Sequence, residues 1–129
     1  MGASSPRLTR LASQYRIASA TSSPAVSTSL MNARTALAAR QVATFDQLTQ
    51  GRMALHIIAG TSDADQASEG DFLPKNDRYR RAGEYLDVIR RIWTSDSPFN
   101  HHGEFYRVEG AYSDIKPHQQ PYPRLFFGG

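Results

Sequence analysis

The sequence contains no cysteine, which excludes a disulfide framework, thiolate metal ligands and a cysteine nucleophile. No apolar run approaches the roughly 18 residues that a membrane-spanning helix needs, so no membrane partner is expected. Acidic residues are missing from positions 1–45, where Arg7, Arg10, Arg16, Arg34 and Arg40 stand without a lysine. The formal net charge of +3 therefore belongs to this leader, because residues 46–129 hold all 12 acids against ten basic residues. A basic stripe interleaved with aromatics, the footprint of a nucleic-acid reader, is also lacking. What is present is 129 residues, 40% hydrophobic and 10% aromatic, suited to one soluble globular unit that need not be a whole protein.

Residues 1–30 hold eight serines and five alanines, and no period of 2 or 3.6 lasts long enough to assign an element. An arginine- and serine-rich, acid-free leader is also how a mitochondrial transit peptide reads, while the apolar core of a secretory signal is missing. The other reading is translated sequence foreign to the fold. We take residues 1–32 as a leader, residues 33–129 as the domain, and the cytoplasm as the expected compartment.

Helical spacing starts at Thr35, a suitable N-cap, and continues through Leu37, Ala38, Gln41, Val42, Phe45 and Leu48, with Gly51 placed to stop it. The short apolar run over 53–59 reads as a strand buried on both faces, the kind found in parallel sheets. Residues 60–71 read as a long acidic loop at its C-terminal end. A helix capped by Asn76 or Asp77 follows, with Tyr79, Ala82, Leu86, Ile89 and Trp93 on one stripe and Arg80, Arg81, Glu84, Asp87, Arg90 and Arg91 facing mostly outward. Residues 99–108 read as a hairpin with His102 and Gly103 near its turn and Phe105 and Tyr106 in its second arm. Three prolines make 111–123 an extended connection, and 125–129 begins a strand running into a glycine turn.

Helix, strand, loop, helix, hairpin and strand form the rhythm of a parallel α/β fold. Two buried parallel strands need neighbours on both edges, so the expectation is a slice of a larger α/β domain.

Five segments carry a resemblance: AARQVATFDQLTQGR (38–52), MALHIIAGTSDADQASEGD (53–71), NDRYRRAGEYLDVIRRIW (76–93), FNHHGEFYRVEGA (99–111) and HQQPYPRLFFGG (118–129). In this order they resemble the bacterial-luciferase-like flavin monooxygenases, and within them the alkanesulfonate monooxygenase branch. The resemblance implies a (β/α)8 TIM barrel, of which this chain is the middle segment around two parallel strands with an inserted hairpin. Such barrels need about 250 residues. The resemblance further implies reduced FMN (FMNH2) as cofactor and O2 as co-substrate. It also implies a small organosulfur substrate such as an alkanesulfonate, a separate NAD(P)H-dependent flavin reductase, and a homo-oligomer for the full-length protein. The alternatives are a truncated, inactive product of such a gene, or a relative acting on a sulfone, a nitrilotriacetate-like compound or an alkane.

His56 interrupts the apolar strand, and alternate strand residues face a barrel's lumen. The resemblance places it near the flavin ring, although a core histidine bonded to a carbonyl would look the same. Tyr79 lies near a helix start, where free N–H groups favour an anion. By resemblance the Arg78–Tyr79 pair lies beside the flavin phosphate, with the Tyr79 hydroxyl as donor and Lys75 in the preceding loop. Tyr79 is equally read as the first core residue of its stripe. Thr61 and Ser62 end the buried strand, where ligand-contacting loops sit, and turn chemistry alone also favours them. Gly128 and Gly129 resemble the family's glycine turn. His101 and His102 point to opposite faces of a strand and make a poor metal chelate, so no metal is expected. No catalytic acid–base residue is assigned.

Overall fold

The computed structural model describes residues 25–27, 35–60 and 62–128. In chain order these form β1 (Ala25–Ser27), α1 (Thr35–Leu48), β2 (Ala54–Ile58), α2 (Asp63–Ser68), α3 (Lys75–Thr94), β3 (Phe99–His102), β4 (Arg107–Ala111) and β5 (Arg124–Gly128). Strands β1, β2 and β5 make a parallel sheet with β2 in the centre, while β3 and β4 pair antiparallel as a separate hairpin. Ala25–Ser27 corrects the expectation that residues 1–30 hold no element. Three residues are too few to show a period, and their strand conformation is set by pairing with Ala54, Leu55 and His56.

Helix α1 starts at Thr35 as expected, but its core side differs from the one assigned. Ala38, Ala39, Val42 and Ala43 are buried, whereas Leu37, Phe45 and Leu48 are exposed. The alanine side is the one that meets α3, where the indole N–H of Trp93 donates to the Ala39 carbonyl at 2.9 Å. Gly51 ends the turn after α1 with φ of +81°, and its missing Cβ makes room for His118, whose Cδ2 would lie 2.9 Å away. Nearby, buried Asp46 accepts from Met53 N–H at 3.3 Å, Gln119 N–H at 2.8 Å and the Gln119 side-chain amide at 2.7 Å. One carboxylate thus fixes the end of α1, the entry to β2 and the approach to β5.

The wide stripe of α3 is buried as its spacing requires, with Ala82, Tyr85, Leu86, Val88, Ile89, Ile92 and Trp93 against the sheet and α1. Each large aliphatic side chain so buried contributes about 1.5–3 kcal/mol. Two boundaries need correction. The helix begins at Lys75 with Pro74 in the capping position, so Lys75 is helical and not in a loop. The expected loop over 60–71 contains α2, whose Ser62 side chain accepts from the Asp65 N–H at 3.2 Å.

The hairpin differs at its turn, because Phe105 and Tyr106 lie between the strands and not in the second arm. Glu84 on α3 is the cause. Its carboxylate takes the N–H groups of Phe105 at 2.9 Å and Tyr106 at 2.8 Å, together with His101 Nε2 at 3.0 Å, and so captures donors that a ladder would otherwise use. Glu84 therefore faces the hairpin and not solvent. Arg81 is likewise turned inward, bound through two nitrogens to the carboxylate of Asp71, and that hydrogen bond holds the Asp71 carboxyl below its usual range.

Burial pushes the Glu84 carboxyl upward, but the hydrogen bonds from His101, Phe105 and Tyr106 outweigh it and hold the group below its ordinary value. A carboxyl lowered in the folded state stabilises fully above its unfolded value and loses that contribution as pH falls through the folded one. Glu84→Gln is expected to cost about 1.5–3 kcal/mol at pH 7, the worth of hydrogen bonds to a charged group. The gap between the urea midpoints of the two proteins should start to narrow only below the ordinary glutamate value of about 4.3 and close as pH falls through the lowered folded one. A gap that persists at low pH would rule the carboxylate out as the hairpin's anchor.

Candidate functional site

Parallel register sorts the strand residues into two faces. Leu55 pairs with Leu125 and Ile57 with Phe127, while Ala54, His56 and Ile58 pair with Arg124, Phe126 and Gly128. Leu55 and Ile57 belong to the core formed with the helices. The second set consequently lies on the face turned away from α1 and α3. There His56 is half-buried, Ile58 is 38% exposed and Phe126 is 53% exposed. One imidazole between an aliphatic and an aromatic side chain, near the C-terminal ends of two parallel strands, is a face for a flat, largely apolar ring with a polar edge. In parallel α/β architectures that is the end where ligands bind.

The other side of the same strand ends is organised by Arg78, which has no exposed surface. Its Nε donates to the Ala59 carbonyl at 2.9 Å and its Nη2 to Gly60 at 3.2 Å. Its Nη1 donates to Leu73 at 2.7 Å and to the Asp63 carboxylate at 2.6 Å. Burying an arginine is tolerated only when its donors are used, and here they tie the end of β2 to α2 and to the loop entering α3. The guanidinium is bound to protein groups, so Arg78 shapes the strand-end loop.

Tyr79 is 43% exposed and is not the first core residue of α3, since Arg78 occupies the buried position of that turn. With Ile57, Ala82, Leu86, Phe127 and Gly128 it lines an apolar groove of about 170 Å³. Lys75 is exposed one helical turn earlier, on the same side of α3 by its i,i+4 spacing. The start of α3 has no side-chain cap, so its first N–H groups remain available to an anion. A larger cleft of about 590 Å³ between α1 and β4 includes no residue of the three-stranded sheet, which sets it apart from the strand ends.

Among the sequence-assigned positions, His56 and Tyr79 both converge on Gly128, but from opposite faces of the sheet. Lys75 joins Tyr79, and Thr61 lies outside the described residues. Ser62 uses its side chain to cap α2. His101 and His102 turn to different carboxylates, Glu84 at 3.0 Å and Glu109 at 2.6 Å. Ile58 and Phe126 were not singled out in the sequence. Counting two residues on from His56, and pairing the two strands through their final apolar runs, would have found both.

Residues 17–129 match the profile of a family described as luciferase-like monooxygenase. The FMNH2-dependent dimethylsulfone monooxygenase of Pseudomonas putida is 41% identical over 95 residues, covering 73% of this chain and 26% of that protein. The solved structure of EDTA monooxygenase from Chelativorans sp. BNC1 superimposes with a TM-score of 0.64 at 25% identity, covering 78% of this chain and 29% of that one. An F420-dependent secondary alcohol dehydrogenase, solved with an F420–acetone adduct, gives a TM-score of 0.65 at 26% identity, covering 77% and 29%. The chain thus spans between a quarter and a third of the length of these relatives. Its fold is the partial (β/α)8 barrel expected, with parallel strands, covering helices and an inserted hairpin.

Proposed function

The chain belongs to the luciferase-like monooxygenase family, and from that premise we propose that it is the middle portion of an FMNH2-dependent monooxygenase acting on a small organosulfur compound. The observation that carries this reading is the face made by His56, Ile58 and Phe126 at the C-terminal ends of β2 and β5. A flavin ring system fits it chemically: Ile58 and Phe126 offer apolar surface, and His56 offers a ring nitrogen to a polar edge. The phosphate is assigned to the start of α3, where Lys75 brings charge and the Tyr79 hydroxyl a donor.

When bound, reduced FMN supplies two electrons, so that one atom of O2 enters the substrate and the other leaves as water. The chain's own residues bind and orient. Ile58 and Phe126 keep water from one side of the ring, His56 sets its polar edge, and Arg78 holds the loop that shapes the strand ends. The substrate is assigned to the small organosulfur compounds, a class supported by a relative named for dimethylsulfone, with an alkanesulfonate as the first candidate and a sulfone as the alternative. A separate NAD(P)H-dependent reductase supplies the reduced flavin, the compartment is cytoplasmic, and the full-length enzyme is a homo-oligomer. We infer a leader shorter than the expected 1–32, since the family match begins at residue 17 and Ala25–Ser27 pairs with β2.

Anaerobic titration of the native gene product with reduced FMN tests the reading. Saturable binding is expected, weakened about three- to tenfold by Tyr79→Phe or Lys75→Met, the worth of one hydrogen bond or one charge contact. With a flavin reductase, NADH, O2 and an alkanesulfonate, sulfite should be released. Flavin binding with turnover of dimethylsulfone instead would move the substrate within the organosulfur class. A product that takes up no flavin would leave an inactive relative, and binding of reduced F420 in its place would move the chain to a hydride-transfer chemistry.

A further inference from the structure

Gly128 stands in a strand that does not need a glycine. Its φ lies outside the left-handed region occupied by Gly51, Gly60, Gly70 and Gly110, and the β2–β5 register runs without a bulge from Ala54↔Arg124 to Ile58↔Gly128. A glycine inside a strand costs roughly 0.5–1 kcal/mol relative to alanine, so something other than backbone conformation occupies the space it leaves. That something is the imidazole of His56. A Cβ on Gly128 would lie 2.6 Å from His56 Nε2 and 3.2 Å from Cε1, well inside the roughly 3.5–4 Å at which atoms pack comfortably.

The register gives this contact a direction. His56 pairs with Phe126, and Gly128 pairs with Ile58. A ring that reaches Gly128 has therefore turned two residue pairs along the ladder, to the next pair on the same face, toward the C-terminal ends of the strands. A side chain at position 128 would push it back toward Phe126.

We propose that Gly128 is a positioning residue: its missing Cβ is the space in which the His56 ring lies, and this aims Nε2 at the strand-end face. The positioning follows from geometry alone, and its effect on cofactor binding rests on the flavin reading above.

The test is a double-mutant comparison of the full chain. In two-dimensional proton–carbon spectra of its four histidines, Gly128→Ala should move the ring signals of His56, assigned by their loss in His56→Ala. Those of His101, His102 and His118 should stay in place. In the native protein Gly128→Ala should weaken reduced FMN binding about tenfold, as for one lost hydrogen bond. In a His56→Ala background the same change should alter affinity less than twofold. Unmoved His56 signals, or an equal loss of affinity in both backgrounds, would overturn the positioning. If Gly128→Ala folds poorly, the double variant must fold as well as His56→Ala, and one as damaged as the single variant would overturn the proposal. Failure of every protein to bind flavin would remove the flavin reading, while the ring signals still decide the positioning.

Discussion

Arg78→Met is expected to lower the unfolding free energy by about 4 kcal/mol or more, a large part of the roughly 5–15 kcal/mol that holds a typical domain together. Methionine fills most of the arginine's volume but leaves the carbonyls of Ala59, Gly60 and Leu73 without the donors they now have. A buried polar group so stranded costs about 1–3 kcal/mol, the Ala59 carbonyl being the most deeply buried of the three. The ion pair within the same cluster is worth far less, because the Asp63 side chain is 70% exposed and water competes for it. Asp63→Asn should therefore cost no more than about 1 kcal/mol. Arg78→Lys should fall between, since an ammonium cannot reach three carbonyls with the spread of a guanidinium. Urea unfolding followed by the fluorescence of Trp93, the only tryptophan, measures all three. If Arg78→Met costs less than Asp63→Asn, the carbonyls are not what Arg78 holds.

The second large effect belongs to Asp46. Asp46→Ala is expected to cost about 3 kcal/mol, because it strands two backbone N–H groups and removes one of the two bonds of the Gln119 side-chain amide, at a position with no exposed surface. Asp46→Asn keeps the shape and should recover part of this, since its Oδ1 can still accept from the Met53 N–H and the Gln119 side-chain amide, while its NH2 faces the Gln119 N–H, already a donor. Amide exchange at Met53 and Gln119 gives the local reading: both should exchange faster in Asp46→Ala and chiefly Gln119 in Asp46→Asn, with α3 affected only through the fall in global stability. Unchanged protection at the two amides would show that Asp46 does not anchor them.

What could be read from the residues follows from what each burial depends on. The α3 stripe and the β2 run were legible because apolar side chains at a steady period bury against a sheet whatever else happens. The first turn of α3 was not. It faces the carbonyl-rich end of β2, so the buried residue there is Arg78, and Tyr79, one position on, is left half exposed. For α1 the spacing was right and Ala38 and Val42 are buried as expected, but Leu37, Phe45 and Leu48 are exposed, because α3 meets the alanine side, where Trp93 bonds a carbonyl more than 50 positions away. The hairpin turn was misplaced for a similar reason. Glu84 competes for the N–H groups of Phe105 and Tyr106, and local sequence carries no sign of a carboxylate on another helix. At the candidate site His56 stood out as a polar residue in an apolar run, whereas Ile58 and Phe126 look like ordinary core residues until the register puts them on the other face.

The hydrogen bonds from Gln119 to Asp46 join positions 73 apart, and the β2–β5 ladder spans a similar separation. Between them α2, α3 and the hairpin are built from neighbours in sequence. Closing so long a loop carries an entropy cost that rises with the logarithm of its length, and contacts of this range slow folding more than they weaken the final state. The order of assembly is therefore set by chain separation. Helices and hairpin form early, the β2–β5 pairing comes late, and until it does the apolar edge of β2 stands open to any other strand that reaches it first.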